Sequence, residues 1–422
     1  MLDELGEHKG AFVGLFVATG VSMLGFSILE PILPTYAQDL GASGVIVGLI
    51  FSGFAISRGV LAPFTGRVSD SYGRKNLLLT GLGLFAVLSI AYSMVSSPLM
   101  LGVVRFCQGF SSVLVTPIAQ SYVGDITPEG SEGSITNLFY VSLFGGIAIG
   151  PTVGGYFAEH AIHTPWFTLT GITTPFYVMA ALTVVSFFLV VVLVPELPDD
   201  VRDTAGAPNP WEAARAVWAD FELRGIMTYI VARGFYRWGF NSFFPVLATS
   251  AAFGLSSTMV GVVLSVYMAV GGVLQIPLGR LSDDYAEYRV HFIVTGGLLS
   301  AFTMLAVPFA TTLPLLIGLM ICMGAFSAVS RTSAVAIRTE RGRVHGMGLV
   351  TGAFTASLSA GQVFGPVGFG AITDTFRIQD AFYIGGIVGI IGTLGAFYYL
   401  HKGLQQDDEA VEGVTEDAQP LD

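Results

Sequence analysis

Apolar residues along this 422-residue chain fall neither into strict alternation nor into one-sided helical stripes. They form near-continuous runs of about 20 residues separated by short polar connections. At a rise of 1.5 Å per residue, such a run is long enough to cross a hydrocarbon core of about 30 Å. Twelve runs read as membrane-spanning helices, near residues 11–36, 44–67, 75–96, 98–123, 133–157, 172–194, 224–250, 256–280, 291–311, 313–337, 345–371 and 381–401. A membrane β-barrel would show alternating segments of roughly ten residues, and these are absent from the pattern. The fold expected is an all-α integral membrane protein.

Composition supports this reading: 53% of residues are hydrophobic and 12% are charged, against about 25% charged in an ordinary soluble domain. The 53 glycines suit close helix packing where lipid offers no hydrophobic drive. The first apolar run is long and no small-residue cleavage pattern follows it, so the first helix is expected to be retained. Of the 19 Lys and Arg, 13 fall on the side of the two termini and only Arg377 on the other, while Arg58, Arg105, Arg233, Arg237 and Arg331 fall within helices. By the positive-inside rule both termini are expected in the cytoplasm, with the chain a multi-pass protein of the cytoplasmic (inner) membrane.

The connection 195–223 is the longest and is rich in Pro, Asp and Glu. It divides the chain into an N-terminal six-helix bundle, 1–194, and a C-terminal one, 224–404, ahead of an acidic tail, 405–422, expected to be disordered. Trp211, Ala214, Trp218 and Phe221 of the connection align on one face of an interfacial helix. The two bundles echo each other. Residues 57–75 recur at 270–289 with Asp70 opposite Asp283, Gly25-Phe26 recurs at Gly239-Phe240, and Gly150-Pro151 recurs at Gly365-Pro366, offsets of 213, 214 and 215. Such a duplication suggests a transporter with a central site opened by rocking one half against the other.

Three motifs carry chemistry. Gly66-Arg67-Val68-Ser69-Asp70-Ser71-Tyr72-Gly73-Arg74-Lys75 lies between the second and third helices, where a tight turn wants glycine and Asp70 can accept from Arg74 or face a helix N-terminus. Arg105-Phe106-Cys107-Gln108-Gly109 lies on the fourth helix. Gly146, Gly150, Pro151, Gly154 and Gly155 make a flat face with a bendable point on the fifth. Together these resemble the major facilitator superfamily over residues 10–402, most closely its twelve-helix drug:proton antiporter branch. The resemblance implies that Gly66, Asp70, Gly73, Arg74, Lys75 and Asp283 form a cytoplasmic gating brace, that the fourth-helix segment serves proton coupling, and that the fifth-helix glycines mark an antiporter. The second copy of the brace, Ala286-Glu287-Tyr288-Arg289, departs from the pattern.

Glu30 is the only carboxylate well inside the predicted membrane region and lies at about the depth of Arg105. Two readings stand: a proton-exchanging pair that changes partner, or a fixed pair joining two helices. On the seventh helix Tyr229, Arg233, Arg237 and Asn241 recur every four residues and share one face. With Gln108 they are the expected cavity lining, and the arginines suit either an anionic solute or counter-ions for Glu30. Arg58 and Arg331 lie nearer the cytoplasmic side, where snorkelling is the simpler reading. All six histidines fall in or near loops, and the chain has no phosphate-binding loop or nucleophile motif, so no metal, cofactor, nucleic-acid or enzyme chemistry is expected. Cys107 and Cys322 read as small packing residues. The function expected is monomeric, secondary active, proton-coupled efflux of a small amphipathic compound across the bilayer. A proton- or sodium-coupled importer of an organic anion is the alternative, and a transporter-like sensor without flux the third.

Overall fold

A computed structural model describes residues 5–6, 8–128, 132–163, 168–196, 215, 218–250 and 253–417, with the backbone alone for 62–72, 132–134 and 407–417. Fourteen helices are used below: α1 (Lys9–Ile28), α2 (Leu33–Asp39), α3 (Gly44–Tyr72), α4 (Arg74–Ser93), α5 (Pro98–Ile126), α6 (Glu132–Glu159), α7 (Thr174–Leu193), α8 (Phe221–Thr249), α9 (Ser257–Val273), α10 (Gln275–Asp284), α11 (Arg289–Ala306), α12 (Leu313–His345), α13 (Met347–Thr375) and α14 (Ile378–Asp417). A two-stranded hairpin, β1 (Ile162–His163) with β2 (Thr168–Leu169), decorates the α6–α7 connection.

Among the described residues, ten spans are long and apolar enough to cross a bilayer. The other two expected spans are α8 and α13, each 29 residues long. Arginines dilute the hydropathy of the first, and glycine, serine and threonine that of the second. Both pack inside the assembly, α8 against α13 and α14, and α13 against α3. The protein is thus a multi-pass helical membrane protein of two six-helix halves, and an even number of crossings puts both chain ends on one face, the terminal face.

Helix starts repeat between the halves. Ser43 and Ser256, 213 residues apart, cap α3 and α9 by accepting from Ile46 N and Met259 N, and Ser97 and Thr312, 215 apart, do the same for Met100 N and Leu315 N. Gly73 and Gly346 join consecutive helices at φ +82° and +98°, a conformation costly for any side chain. The first repeat unit departs from symmetry at Pro31. It cannot donate a backbone hydrogen bond, α1 stops at Ile28, and the chain turns through 29–32 before α2 begins. The result is a full break between two helices and not a bend within one. Pro245, 214 residues on, sits inside a continuous α8.

Core packing divides into three clusters. One, running from Ile28 and Phe51 through Phe240 to Phe382, joins both halves away from the terminal face. The other two are confined to single halves near the terminal face, one from Leu5 to Val194 and one from Leu223 to Leu400. The halves meet along α3–α13 and α6–α9. Among the described residues, the apolar cores are therefore joined on the face opposite the termini and separate toward the terminal face.

On the terminal face Arg74 pairs with Asp125 and Arg289 pairs with Glu340, offsets of 215 in both partners. Arg289 also donates to the Ser282 carbonyl at 2.9 Å and to Asp283 at 3.2 Å. The second brace thus keeps its arginine ion pair although its sequence departs from the first. Arg74→Gln strands Asp125, whose side chain is 13% exposed, and is expected to cost about 3–5 kcal/mol. Arg289→Gln faces a half-exposed Glu340 and should cost about 1 kcal/mol. Thermal unfolding in detergent should give the larger drop in Tm for Arg74→Gln.

Two expectations fall partly outside the described residues. Of the expected linker helix, Trp211 and Ala214 lie outside them, and Phe221 belongs instead to α8, because the extended Asp220 caps that helix; Asp220 and Glu222 are tied to α12 by His345 (2.8 Å to Asp220) and Arg341 (2.6 Å to Glu222). The Asp70 side chain also lies outside them, and Gly66 is backbone within α3. The tail expected to be disordered from 405 instead continues α14 to Asp417.

Candidate transport site

Glu30 lies in the break after α1 with 2% of its surface exposed. Three contacts hold the break in place: the Tyr36 hydroxyl donates to the carbonyls of Tyr92 (3.1 Å) and Val95 (3.2 Å), while Leu33 N closes back onto the Leu29 carbonyl at 2.7 Å. The partner of Glu30 comes from the other half. The amide of Asn241 and the guanidinium of Arg237, both on α8, act on its carboxylate together with the guanidinium of Arg105 on α5.

Arg105, 1% exposed, is held by its own neighbours. Its Nη1 donates to Gln108 Oε1 at 2.7 Å, and Gln108 Oε1 also accepts from the Tyr92 hydroxyl at 2.8 Å. Its guanidinium lies over three phenyl rings, Phe54 at 4.8 Å, Phe26 at 5.2 Å and Phe51 at 5.5 Å, so the charge is stabilised by ring faces as well as by hydrogen bonds. The expected Glu30–Arg105 ion pair is not formed: no salt bridge within 4.0 Å joins the two, and depth along two helices did not determine which way each side chain points. The fixed-pair reading is thereby corrected.

On α8 the four residues spaced by four do share a face but differ in role. Arg237 stacks on Trp238 at 5.4 Å, and Trp238 meets Phe26 of the other half edge-on at 6.4 Å. Arg233 donates to Ser327 at 2.7 Å. Tyr229 is wholly buried, its hydroxyl on Ser330 at 2.5 Å and its ring under Gly297, so it packs α8 against α11 and α12 and does not line a cavity here. Buried polar atoms remain without protein partners: Oε2 of Glu30, Oδ1 of Asn241, and Nε of Arg105, Arg233 and Arg237. Orphaned groups at that depth are costly, about 1–3 kcal/mol each, and their clustering makes this the candidate site.

The polar site is built on one half's break and the other half's α8, and symmetry is lost there. Glu30, Arg105 and Gln108 correspond, at offsets of 214 and 215, to Phe244, Met320 and Met323, all buried apolar residues. The fifth-helix glycines sit where contacts demand them. A methyl at Gly146, Gly150 or Gly154 would overlap the backbone or Ser27 of α1, and one at Gly155 would overlap the Ser257 carbonyl of the other half. Pro151 lies inside an unbroken α6. Sequence reasoning missed the Phe26, Phe51 and Phe54 cage, Tyr92 and Trp238. The signal available was aromatic spacing of three on α3 beside a buried arginine.

A family model described as Major Facilitator Superfamily matches residues 15–251 and 226–420, which together take in nearly the whole chain. The chain belongs to the Major Facilitator Superfamily. Among curated members it is 26% identical over 397 residues to an uncharacterized MFS-type transporter of Methanocaldococcus jannaschii, covering 93% of this chain and 98% of that protein. It is 25% identical over 397 residues to Multidrug resistance protein 2 of Bacillus subtilis, covering 93% and 96%, and 27% identical over 227 residues to the quinolone resistance protein NorA of Staphylococcus aureus, covering 54% and 56%. Among solved structures, a bacterial homolog of the human lysosomal transporter Spinster superposes with a TM-score of 0.81 at 13% identity over 95% of this chain and 98% of that one. These matches make this facilitator-family chain a membrane transport protein.

Proposed function

We propose that this facilitator is a proton-coupled exporter of small amphipathic compounds, working by alternating access, with Glu30 as the group that carries the proton. The observation that carries the proposal is Glu30 itself: a buried carboxylate in a helix break, under the influence of Asn241 and Arg237 across the boundary between the halves and of Arg105 from its own half, with one oxygen unpartnered. Rocking the halves apart on the sealed face moves α1 and α2 away from α8 and takes Asn241 and Arg237 from the carboxylate. The carboxylate, deprived of that charge, then favours a proton, and return of Arg237 favours its release. Protonated, Oε2 has a hydrogen that the unpartnered Oδ1 of Asn241 can accept. The rings of Phe26, Phe51, Phe54 and Trp238 offer the amphipathic solute a flat apolar surface. The names of the curated relatives, multidrug and quinolone resistance proteins, support export as the direction. The excess of Lys and Arg near the terminal face supports placing it in the cytoplasm of an inner-membrane protein.

A second reading, import of an organic anion, is favoured by one observation: the membrane region holds Arg58, Arg105, Arg233, Arg237 and Arg331 against Glu30 alone. Reconstituted vesicles separate the two. Under an imposed pH gradient, export by antiport drives ethidium into vesicles that are acid inside; symport of naphthalene disulfonate requires the opposite gradient. If the anion reading holds, Arg233→Gln with Arg237→Gln should weaken disulfonate uptake about tenfold or more, the value of one charge-assisted contact; disulfonate uptake at the parental rate contradicts that reading.

A further inference from the structure

The seal away from the terminal face is closed by two carboxylates that cap helices of the opposite half. Asp374, at the end of α13, accepts from Gly44 N at 2.5 Å and Val45 N at 2.9 Å, the first two amides of α3. Glu159, the last residue of α6, accepts from Ser257 N at 2.5 Å, the first amide of α9, and from the Thr258 hydroxyl at 2.5 Å. The two are 215 residues apart in sequence. In each helix the resident serine, Ser43 or Ser256, takes the third amide, leaving the first amides to a residue from across the boundary.

Helix starts need acceptors, and an anion there gains from charge-assisted hydrogen bonds and the helix dipole. Each of these helices therefore completes its cap only while the halves are together. The neighbouring contacts run along the same seam: Thr152 N and the Thr152 hydroxyl both reach Ser265 Oγ, at 3.1 and 2.8 Å, and Ser52 donates to the Val363 carbonyl at 2.8 Å. On the terminal face, by contrast, the pairs Arg74–Asp125, Arg289–Glu340 and Arg341–Glu222 each lie within one half or its linker.

We infer that Glu159 and Asp374 are a symmetric pair of latches that hold the face opposite the termini closed, and that their strength sets how often it opens. They position the halves and do not touch the solute. The test uses Ser265→Cys, beneath the Glu159 latch, in a Cys107→Ser, Cys322→Ser background, with a membrane-impermeant maleimide confined to the face opposite the termini in oriented vesicles. The labelling rate then follows the fraction of open molecules. Glu159→Gln and Asp374→Asn keep shape and an acceptor but lose the charge. Each should raise the rate about threefold or more, and together about tenfold or more, because the latches are far apart and add in free energy. Glu159→Ala and Asp374→Ala, which also lose the acceptor, should exceed the amides. A double amide variant, monodisperse in detergent, that labels at the parental rate overturns the inference, as does a rise that appears only in a poorly folded fraction. The readout needs neither substrate nor proton gradient, so it stands apart from the transport assay.

Discussion

Glu30→Gln is expected to abolish proton-driven accumulation while leaving solute exchange at equal pH within about threefold of the parent. If one proton moves per solute, a gradient of one pH unit supports about a tenfold accumulation, equivalent to about 1.4 kcal/mol. The variant should hold the ratio near one at any gradient. Glutamine has the size of the acid and both a donor and an acceptor for Asn241, so the break at Pro31 and the contacts of Tyr36 that frame it should survive. What it lacks is the ability to titrate. Arg105, held by Gln108 and three rings, does not depend on Glu30 for its place and should stay in position. Counterflow and gradient-driven uptake, measured on the same vesicles, check both halves of this expectation.

The second large effect concerns glycines at the seam. A methyl on Gly48 would overlap the Pro366 carbonyl, and one on Gly261 would overlap that of Pro151, each across the boundary between halves. Their positions differ by 213, so the contact is repeated by the same duplication that places the latches. Both clashes lie between the halves, so parting the halves relieves them. Overpacking costs about 1–3 kcal/mol, which corresponds to about a 5- to 150-fold shift toward the open form for Gly48→Ala or Gly261→Ala. Both variants should purify normally, transport at least about fivefold more slowly, and label faster at Ser265→Cys. Gly150→Ala and Gly154→Ala behave differently, because their contacts with Ser27 and Ile28 lie within one half. They should lower folded yield instead of shifting the open fraction.

Much of this was legible in the chain. Twelve apolar runs, offsets of 213 to 215, and the glycines at 146, 150, 154 and 155 all landed on helices, repeats and contacts of the expected kind. What the sequence withheld was direction and partnership. Depth placed Glu30 and Arg105 at one level, but a helix that stops at Ile28 turns the carboxylate to Asn241. Spacing of four put Tyr229 with Arg233, yet a serine on α12 and a glycine on α11 pulled its hydroxyl and ring into packing. Glu159 and Asp374 are acidic residues at helix ends, and nothing local distinguishes a solvated terminal carboxylate from one that reaches across a boundary. Arg289 kept its ion pair although the motif around it had decayed, because a salt bridge requires two residues and not a run of ten.

The central claim, that solute and proton move in opposite directions through one site, is tested most directly by downhill flux with no imposed gradient. Purified protein is placed in vesicles containing a trapped pH dye, and ethidium is added outside. Antiport predicts that the lumen becomes more alkaline as ethidium enters, at a rate proportional to the flux, and that Glu30→Gln lets ethidium exchange without any pH change. Luminal acidification accompanying entry, or an alkalinisation that persists undiminished in Glu30→Gln, would contradict it.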